Sequence, residues 1–382
     1  MEHEGLLLKD KDKHVDWLML GSALLLSVLG LLTMSSFQSS NPYFERQIIW
    51  LGLSLGVFFT ARTIDWRAIR RSGVAVSIYG FATGLLVLLF ILGRALKGAH
   101  SWFTVGGVAF EPAELAVLAL VVVLAKYFTD RHVEIAHVRH IIVSGIYAFI
   151  LFILVALQPD LGGSIIIFLV WLGMVLVSGI SRKHLLAVFL LGVIASVGLW
   201  NFGLHEYQRQ RILSFIHPLA DIRGSGYNAY QAMIALGSGQ VLGKGIGYGT
   251  QSKLKFLPEY QTDFMFAAFA EEWGFIGIVI VFALFGVLFW RILFAAARGA
   301  TNFETLFALG VLFYILAHVM VHAGISLGLM PVTGTTIPFM SYGGSHLLVE
   351  FLMLGMISGM SRYSNAAHRE QLKQEFSGGY DV

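Results

Sequence analysis

Apolar runs of about 20 residues, the length needed to cross a hydrocarbon core about 30 Å thick, recur along this chain. They fall near 15–35, 45–61, 72–92, 112–128, 139–157, 161–179, 184–203, 264–290, 303–325 and 342–361. Gln158-Pro159-Asp160 divides what would otherwise read as one continuous stretch. The first run follows Lys9, Lys11 and Lys13 but has no small-residue cleavage pattern, so it predicts a retained helix and not a signal peptide. The pattern predicts an all-α polytopic membrane protein: about ten transmembrane helices in one domain, 15–361, between polar tails at 1–14 and 362–382. One segment breaks the rhythm. Residues 204–262 form a long extramembrane loop, and connections of that length are seldom without function.

Composition agrees with the pattern. The 382 residues are 57% hydrophobic and 13% charged, where soluble domains carry about 25% charged residues; mean hydropathy is +0.74. With the N-terminus inside, most of the 26 Lys and Arg fall on the inner side, among them Arg62, Arg67, Arg70, Arg71, Arg182, Lys183, Arg291 and Arg298. Both termini are then cytoplasmic and the 204–262 loop is outside. The net charge of +3 gives no reason to expect a nucleic-acid partner, and the absence of cysteine excludes disulfides, thiolate nucleophiles and cysteine metal sites.

Against the positive-inside trend, the outer loop is basic: Arg209, Arg211, Arg223, Lys244, Lys253 and Lys255. Its glycines at 237, 239, 243, 245, 247 and 249 expose backbone N–H groups that can cradle anions. Such a surface suits a phosphorylated lipid or a sugar; an amphipathic loop resting on anionic headgroups has the same composition. GSGQVLGKG is not a phosphate-binding P-loop, because Lys244 is followed by glycine and the glycine spacing is wrong.

Acidic residues sit inside apolar segments. Asp263 stands where the basic loop meets the eighth run, as a helix cap or as a general base. Glu271 and Glu272 follow about 12–13 Å further along a helix at 1.5 Å per residue, which predicts burial and pairing between helices. Helical geometry sets Glu271 about 80° from Asp263 and Glu272 nearly opposite. Glu111 and Glu114 in FEPAEL and Asp160 in PDLGG open two further helices, Pro112 suiting a first turn, and predict a structural network. His318 and His322 lie one turn apart, a metal-binding spacing without a third ligand nearby in sequence, so structural histidines are the reading preferred. PVTGTTIPFMSYGGS (331–345) reads as a re-entrant outer loop lining a cavity, with Ser341 and Tyr342 facing substrate.

Taken together these segments resemble the SEDS (shape, elongation, division and sporulation) family. The resemblance spans nearly the whole chain. It is carried by GAHSWFTVGGVAFEPAE (98–114), QPDLGGS (158–164), RQRILSF (209–215), GYNAYQAMIALGSG (226–239), GKGIGYGTQSKLKFLPEYQTDFMFAAFAEEWGFIG (243–277) and PVTGTTIPFMSYGGS. The EEWGF ending is closer to the rod-elongation branch than to the division branch. The resemblance implies a peptidoglycan glycosyltransferase with ten transmembrane helices that polymerises lipid II outside the bacterial cytoplasmic membrane. Its implied partners are a class B penicillin-binding transpeptidase and other elongation-complex membrane proteins. It puts the essential aspartate on Asp263 and makes Arg209, Arg211, Lys244, Lys253 and Lys255 the candidates for the pyrophosphate. A divalent cation, Mg²⁺ or Mn²⁺, could assist, but no clear site for one is visible.

The sequence also departs from the family pattern. Ala113 and Val117 replace a serine and a lysine, His100-Ser101 replaces a basic pair before Trp102, and His346 replaces a serine. Without the lysine, a protonated acid, another base or a metal has to stand beside Glu114 and Asp160. Two rival functions share the membrane architecture: a lipid-linked-sugar flippase, against which stands the absence of a visible internal repeat, and a non-catalytic scaffold for the transpeptidase.

Overall fold

The computed structural model describes residues 15–36, 42–92, 94–96, 99–105, 108–131, 138–198, 200–201, 206–216 and 226–377. Ten long helices occupy the ten predicted spans: α1 (Trp17–Ser36), α2 (Pro42–Thr63), α3 (Ser72–Leu92), α4 (Pro112–Thr129), α5 (Val138–Leu157), α6 (Leu161–Val177), α7 (Arg182–Gly198), α11 (Met265–Ala297), α12 (Asn302–Ser326) and α13 (Gly344–Ser377). Seven are long and apolar enough to cross a membrane by themselves. Of the other three, α2 carries Glu45, Arg46 and Arg62, and α6 and α7 have 17 residues each. The N-terminal polar tail lies outside the described residues, whereas α13 continues through residues 362–377 of the C-terminal one.

Helix starts follow their local chemistry. Pro112 sits in the first turn of α4, where its missing N–H costs nothing. Asp160 caps α6 by accepting from the Gly163 amide at 2.9 Å, so the break predicted at Gln158-Pro159-Asp160 is a helix start. Gln158 donates to the Leu86 carbonyl at 2.9 Å and ties the same corner to α3.

Burial grades from centre to rim. α4 and α12 lie inside the bundle with nearly continuous buried faces. By contrast α7 leaves Phe189, Leu190, Leu191 and Ile194 exposed, as a lipid-facing helix does. Two features depart from the expected pattern. Between α3 and α4 the chain forms a small antiparallel meander, β1 (Arg94–Leu96), β2 (Ala99–Val105) and β3 (Val108–Phe110). Among its described residues the long loop contains three helices, α8 (Glu206–Ile216), α9 (Tyr227–Ser238) and α10 (Thr250–Lys253). The elements in both segments are short, so their hydropathy gives no span-length signal.

A third departure concerns depth. α11 has 33 residues, about 50 Å at 1.5 Å per residue, well over the hydrocarbon thickness. Asp16, just before α1, pairs with Arg291 at 2.7 Å, and Ser36 at the other end of α1 donates to Glu272 at 2.6 Å. These two contacts set α1 and α11 antiparallel and match the whole of α1 to the stretch Glu272–Arg291. Glu271 and Glu272 are buried as expected but lie level with the end of α1, nearer one end of the bundle than their distance from Asp263 implied. Between the two parts of α11 the backbone breaks at Gly274, with φ 66° and ψ −166°.

Candidate functional site

The break at Gly274 explains the glycine-rich tract. A broken helix leaves carbonyls and amides without intrahelical partners, and those groups must be bonded elsewhere if buried. The Lys244 and Gly245 amides donate to the Glu271 and Glu272 carbonyls, both at 3.0 Å. The Phe275 and Ile276 amides donate to Gln240 and Val241 carbonyls at 2.9 and 3.2 Å. The two backbones touch: a Cβ at Gly274 would come within 2.2 Å of the Gly243 nitrogen, and one at Gly243 within 2.1 Å of the Glu272 carbonyl oxygen.

The anion cradled by this tract belongs to the protein itself. Glu271 is fully buried and accepts from Lys244 Nζ at 2.7 Å, from the Thr250 hydroxyl at 3.0 Å and from the Gln251 amide at 3.1 Å. Glu272 accepts from Ser36 and from the Gly247 amide at 3.0 Å. The pairing predicted between membrane helices is instead made mostly by the loop folded back onto α11. Lys244 is thus committed to Glu271, a different task from meeting a substrate phosphate.

Asp263 lies half-buried just before α11, with Phe264 between it and the first helical residue. The loop 331–343 folds over it. Ser341 donates to the Thr262 carbonyl at 2.8 Å and accepts from the Ile337 amide at 3.1 Å, and the Tyr342 amide donates to the Gln261 carbonyl at 2.9 Å. Gln47 of α2 clamps the same turn: its side-chain amide donates to the Ser341 carbonyl at 3.1 Å and its oxygen accepts from the Gly343 amide at 3.3 Å. Ser341 is buried and both its hydrogen-bonding roles are taken by backbone. Its observed contacts fix the position of residues 261–263. A Cβ at Gly334, whose φ is +81°, would stand 3.6 Å from an Asp263 carboxylate oxygen, so this part of the loop lies directly against the acid. The other side of the loop touches the start of α6, where a Cβ at Gly162 would meet Thr335 and Thr333.

The acids of FEPAEL and PDLGG gather at the same end. Burial raises the Glu111 carboxyl well above the usual carboxylate range; Glu114 and Asp160 push it the same way, His346 opposes them, and Asp263 adds to the rise. Glu114 is buried beside His346, whose Nδ1 lies 2.8 Å from its Oε1. Tyr314 donates to Glu114 through its hydroxyl and lies 3.1 Å from His346 Nδ1. His346 Nε2 is 3.0 Å from Glu350 Oε1. His346 therefore stands where the departures from the family pattern left an acid without its cation. The sequence pointed to the vacancy at Val117 but not to the histidine that fills it, because the two positions are far apart in the chain. Tyr314 and Gln47 carried no sequence signal at all.

The two histidines of α12 have different tasks. His322 Nδ1 donates to the Thr335 carbonyl at 2.7 Å and its Nε2 accepts from the Phe266 amide at 3.3 Å, so both nitrogens are occupied. His318 donates from Nδ1 to the Thr336 carbonyl at 3.3 Å, and its ring lies 4.7 Å from that of His346. Among the described residues one set of side chains could hold a metal ion: Glu114, His318 and His346.

The basic residues of the loop scatter. Lys253 and Lys255 are exposed, and Lys253 donates to the Gly247 carbonyl at 3.2 Å. Arg209 on α8 donates to the Asn201 carbonyl at 3.1 Å. The side chain of Arg211 lies outside the described residues, as does Arg223.

Residues 14–366 match the profile of the cell cycle protein family of FtsW, RodA and SpoVE. The chain is 37% identical over 363 residues to the peptidoglycan glycosyltransferase MrdB of Escherichia coli K12, covering 94% of this chain and 96% of that protein. It is 33% identical over 359 residues to the stage V sporulation protein E of Bacillus subtilis, covering 91% and 97%. Among solved structures, it superposes on a chain of a peptidoglycan synthase complex that coordinates polymerisation and crosslinking, with a TM-score of 0.78, 30% identity and 91% and 98% coverage. The rod shape determining protein RodA of Thermus thermophilus gives 0.68, with 29% identity and 91% and 96% coverage.

Proposed function

The chain belongs to the cell cycle protein family of FtsW, RodA and SpoVE, and on that premise we propose that it is a peptidoglycan glycosyltransferase of rod elongation. In this reading it polymerises lipid II at the outer face of a bacterial cytoplasmic membrane. The end of the bundle that carries Asp263, the loop 331–343 and the basic segment 206–262 is then the outer one, and the ten-helix domain has both termini inside. A transpeptidase of the class B penicillin-binding type is the expected partner, by analogy with the synthase complex that the fold matches.

Chemistry follows from the groups at that end. Asp263 accepts the proton of the acceptor sugar hydroxyl, which attacks the anomeric carbon of the donor; undecaprenyl pyrophosphate leaves with the bonding electrons. Charge on the leaving group needs fixed cations. Lys253 and Lys255, exposed on the loop, and Arg209 and Arg211 on α8 are the candidates, with Lys244 reserved for Glu271. A Mg²⁺ or Mn²⁺ ion, if bound there, would supply positive charge to the same leaving group.

The observation that carries this reading is the anchoring of Asp263. Two backbone segments, 261–262 and 337–343, are bonded to each other through Ser341 and Tyr342, which places Asp263 at the lip of the loop. A base so positioned contributes about 10²–10⁴-fold to rate. Asp263→Ala should therefore reduce polymerisation of purified lipid II in detergent by at least about 100-fold, with unchanged elution and thermal unfolding. Wild-type glycan yield from that variant would remove Asp263 from the chemistry. Detergent matters, because a flippase has no sealed membrane there to act across.

A further inference from the structure

Glu114, His318 and His346 come from three different helices, α4, α12 and α13, and are all buried. Their ligand atoms lie within 4.8 Å of one another. The geometry points to a divalent transition-metal site, best matched by Zn²⁺, in which the Glu114 carboxylate, His318 Nε2 and His346 Nδ1 are the ligands.

Three observations support it. The first is tautomer control. A carbonyl can only accept, so the Thr336 carbonyl fixes the His318 proton on Nδ1 and leaves a lone pair on Nε2. His346 Nε2 lies against Glu350, which leaves Nδ1 toward Glu114. A carboxylate or carbonyl behind each ligating imidazole is the usual outer support of a metal site. Glu350 is itself anchored, accepting from the Phe339 amide at 3.0 Å. The second observation is unsatisfied polarity. His346 Nε2 and Glu350 Oε1 are fully buried, close enough for an ion pair, and without an aligned hydrogen bond in this conformation. A small turn of the imidazole toward a metal on Nδ1 would align Nε2–H with Glu350. The third is charge. A dication on two neutral imidazoles would balance the charge of the Glu114 and Glu350 carboxylates.

The ligand set selects the ion. Two imidazoles and one carboxylate suit zinc and other borderline divalent ions, with bonds of about 2.0–2.2 Å, and leave one position for a fourth ligand. Tyr314, whose hydroxyl sits 3.1 Å from His346 Nδ1, lies beside that position. His322, one turn from His318, is excluded because both its nitrogens are bonded to backbone. Occupied, the site would tie α4, α12 and α13 together and, through Thr336 and Phe339, fasten the loop 331–343 that covers Asp263. It is a brace behind the proposed reaction centre and does not depend on the glycosyltransferase reading.

The test measures metal directly on the full chain, without a histidine tag, purified in detergent. After chelator treatment the protein is loaded with Zn²⁺, desalted and assayed for metal per chain; a parallel sample takes Co²⁺ as a visible-absorption reporter. Wild type should retain about one equivalent of zinc and unfold at a higher temperature with it. His318→Ala and His346→Ser should lose the equivalent and the thermal shift. Glu350→Gln should weaken retention by about 10–100-fold, as outer-support changes do, and His322→Gln should keep it. If the His variants fail to fold, the wild-type stoichiometry and the Co²⁺ spectrum decide alone: tetrahedral bands support the site. Wild type that retains no zinc and gives no cobalt spectrum, or a folded His318→Ala/His346→Ser double variant that retains the wild-type equivalent, overturns it.

Discussion

Two buried acid clusters sit at the same end of the bundle, and they are neutralised in different ways. Glu271 and Glu272 are met by a lysine, two hydroxyls and backbone amides, almost all from the nearby segment 244–251. Glu114 and Glu350 are met by histidine and tyrosine side chains brought from distant parts of the chain. The first arrangement closes a seam: each bond completes a backbone break and leaves little to exchange. The second gathers groups that can gain or lose protons and bind metal, next to a loop that holds Asp263. In the proposed reading, chemistry belongs beside the second cluster, while the first holds the wall in place.

The contrast can be broken from the seam side. Gly274→Ala should have the largest effect on stability. Its Cβ would meet the Gly243 backbone at 2.2 Å, and its φ of 66° with ψ −166° is a conformation costing a non-glycine residue about 1–3 kcal/mol even without the clash. The yield of monodisperse protein and its melting temperature should collapse, whereas Gly286→Ala in the same helix, with nothing within 4 Å of the added carbon, should behave as wild type. Equal behaviour of the two variants would show that the tract 240–245 does not pack on the break.

Next comes Lys244→Met. It leaves Glu271, with no exposed surface, without its cation. Removing one partner of a buried pair costs about 3–5 kcal/mol, and the partly exposed lysine puts this case near the lower figure. Adding Glu271→Gln should recover part of the loss in a denaturation series. A Lys244→Met protein that is stable but unable to bind substrate would move this lysine back to the phosphate.

Ser341→Ala tests the link between the loop and Asp263. The hydroxyl holds the Thr262 carbonyl and the Ile337 amide; an unmade buried hydrogen bond costs about 1–3 kcal/mol. Turnover should fall more than substrate affinity, because the base is misplaced while the basic segment is untouched. An effect confined to affinity would instead assign Ser341 to substrate contact.

The smallest effect concerns pH. Glu111 has its carboxyl raised by burial and by neighbouring carboxylates. Its neutral form is therefore favoured by folding. That contribution is present in full below the ordinary carboxylate pKa and is lost as pH rises toward the folded value. Glu111→Gln keeps a neutral group throughout, so its melting temperature should exceed that of wild type by a margin that widens from pH 4.5 upward. A margin that narrows with pH would reverse the sign of the shift.

Hydropathy by itself determined the all-α membrane fold, the positions of ten long helices and the outlying segment 204–262, because an apolar run of span length has few other ways to be buried. Ordered motifs determined the family and marked Asp263. The kink at Gly274 was not legible, since a glycine within an apolar run looks the same whether or not the helix breaks there. Helical arithmetic set Glu271 and Glu272 too deep because it assumed that the span begins with the helix; only the pairing of α1 with α11 fixed where the membrane-length part starts. The loop glycines suggested an anion, and tertiary structure brings the tract against the carboxyls and carbonyls of Glu271 and Glu272. His318 and His322 looked equivalent at one-turn spacing, and the backbone carbonyls and amides around them made one structural and left the other available. The partner of Glu114 was missing from the local motif and was supplied by His346, 232 positions away. Sequence patterns report groups that are neighbours along the chain; charge compensation in a bundle is settled by groups that are neighbours in space.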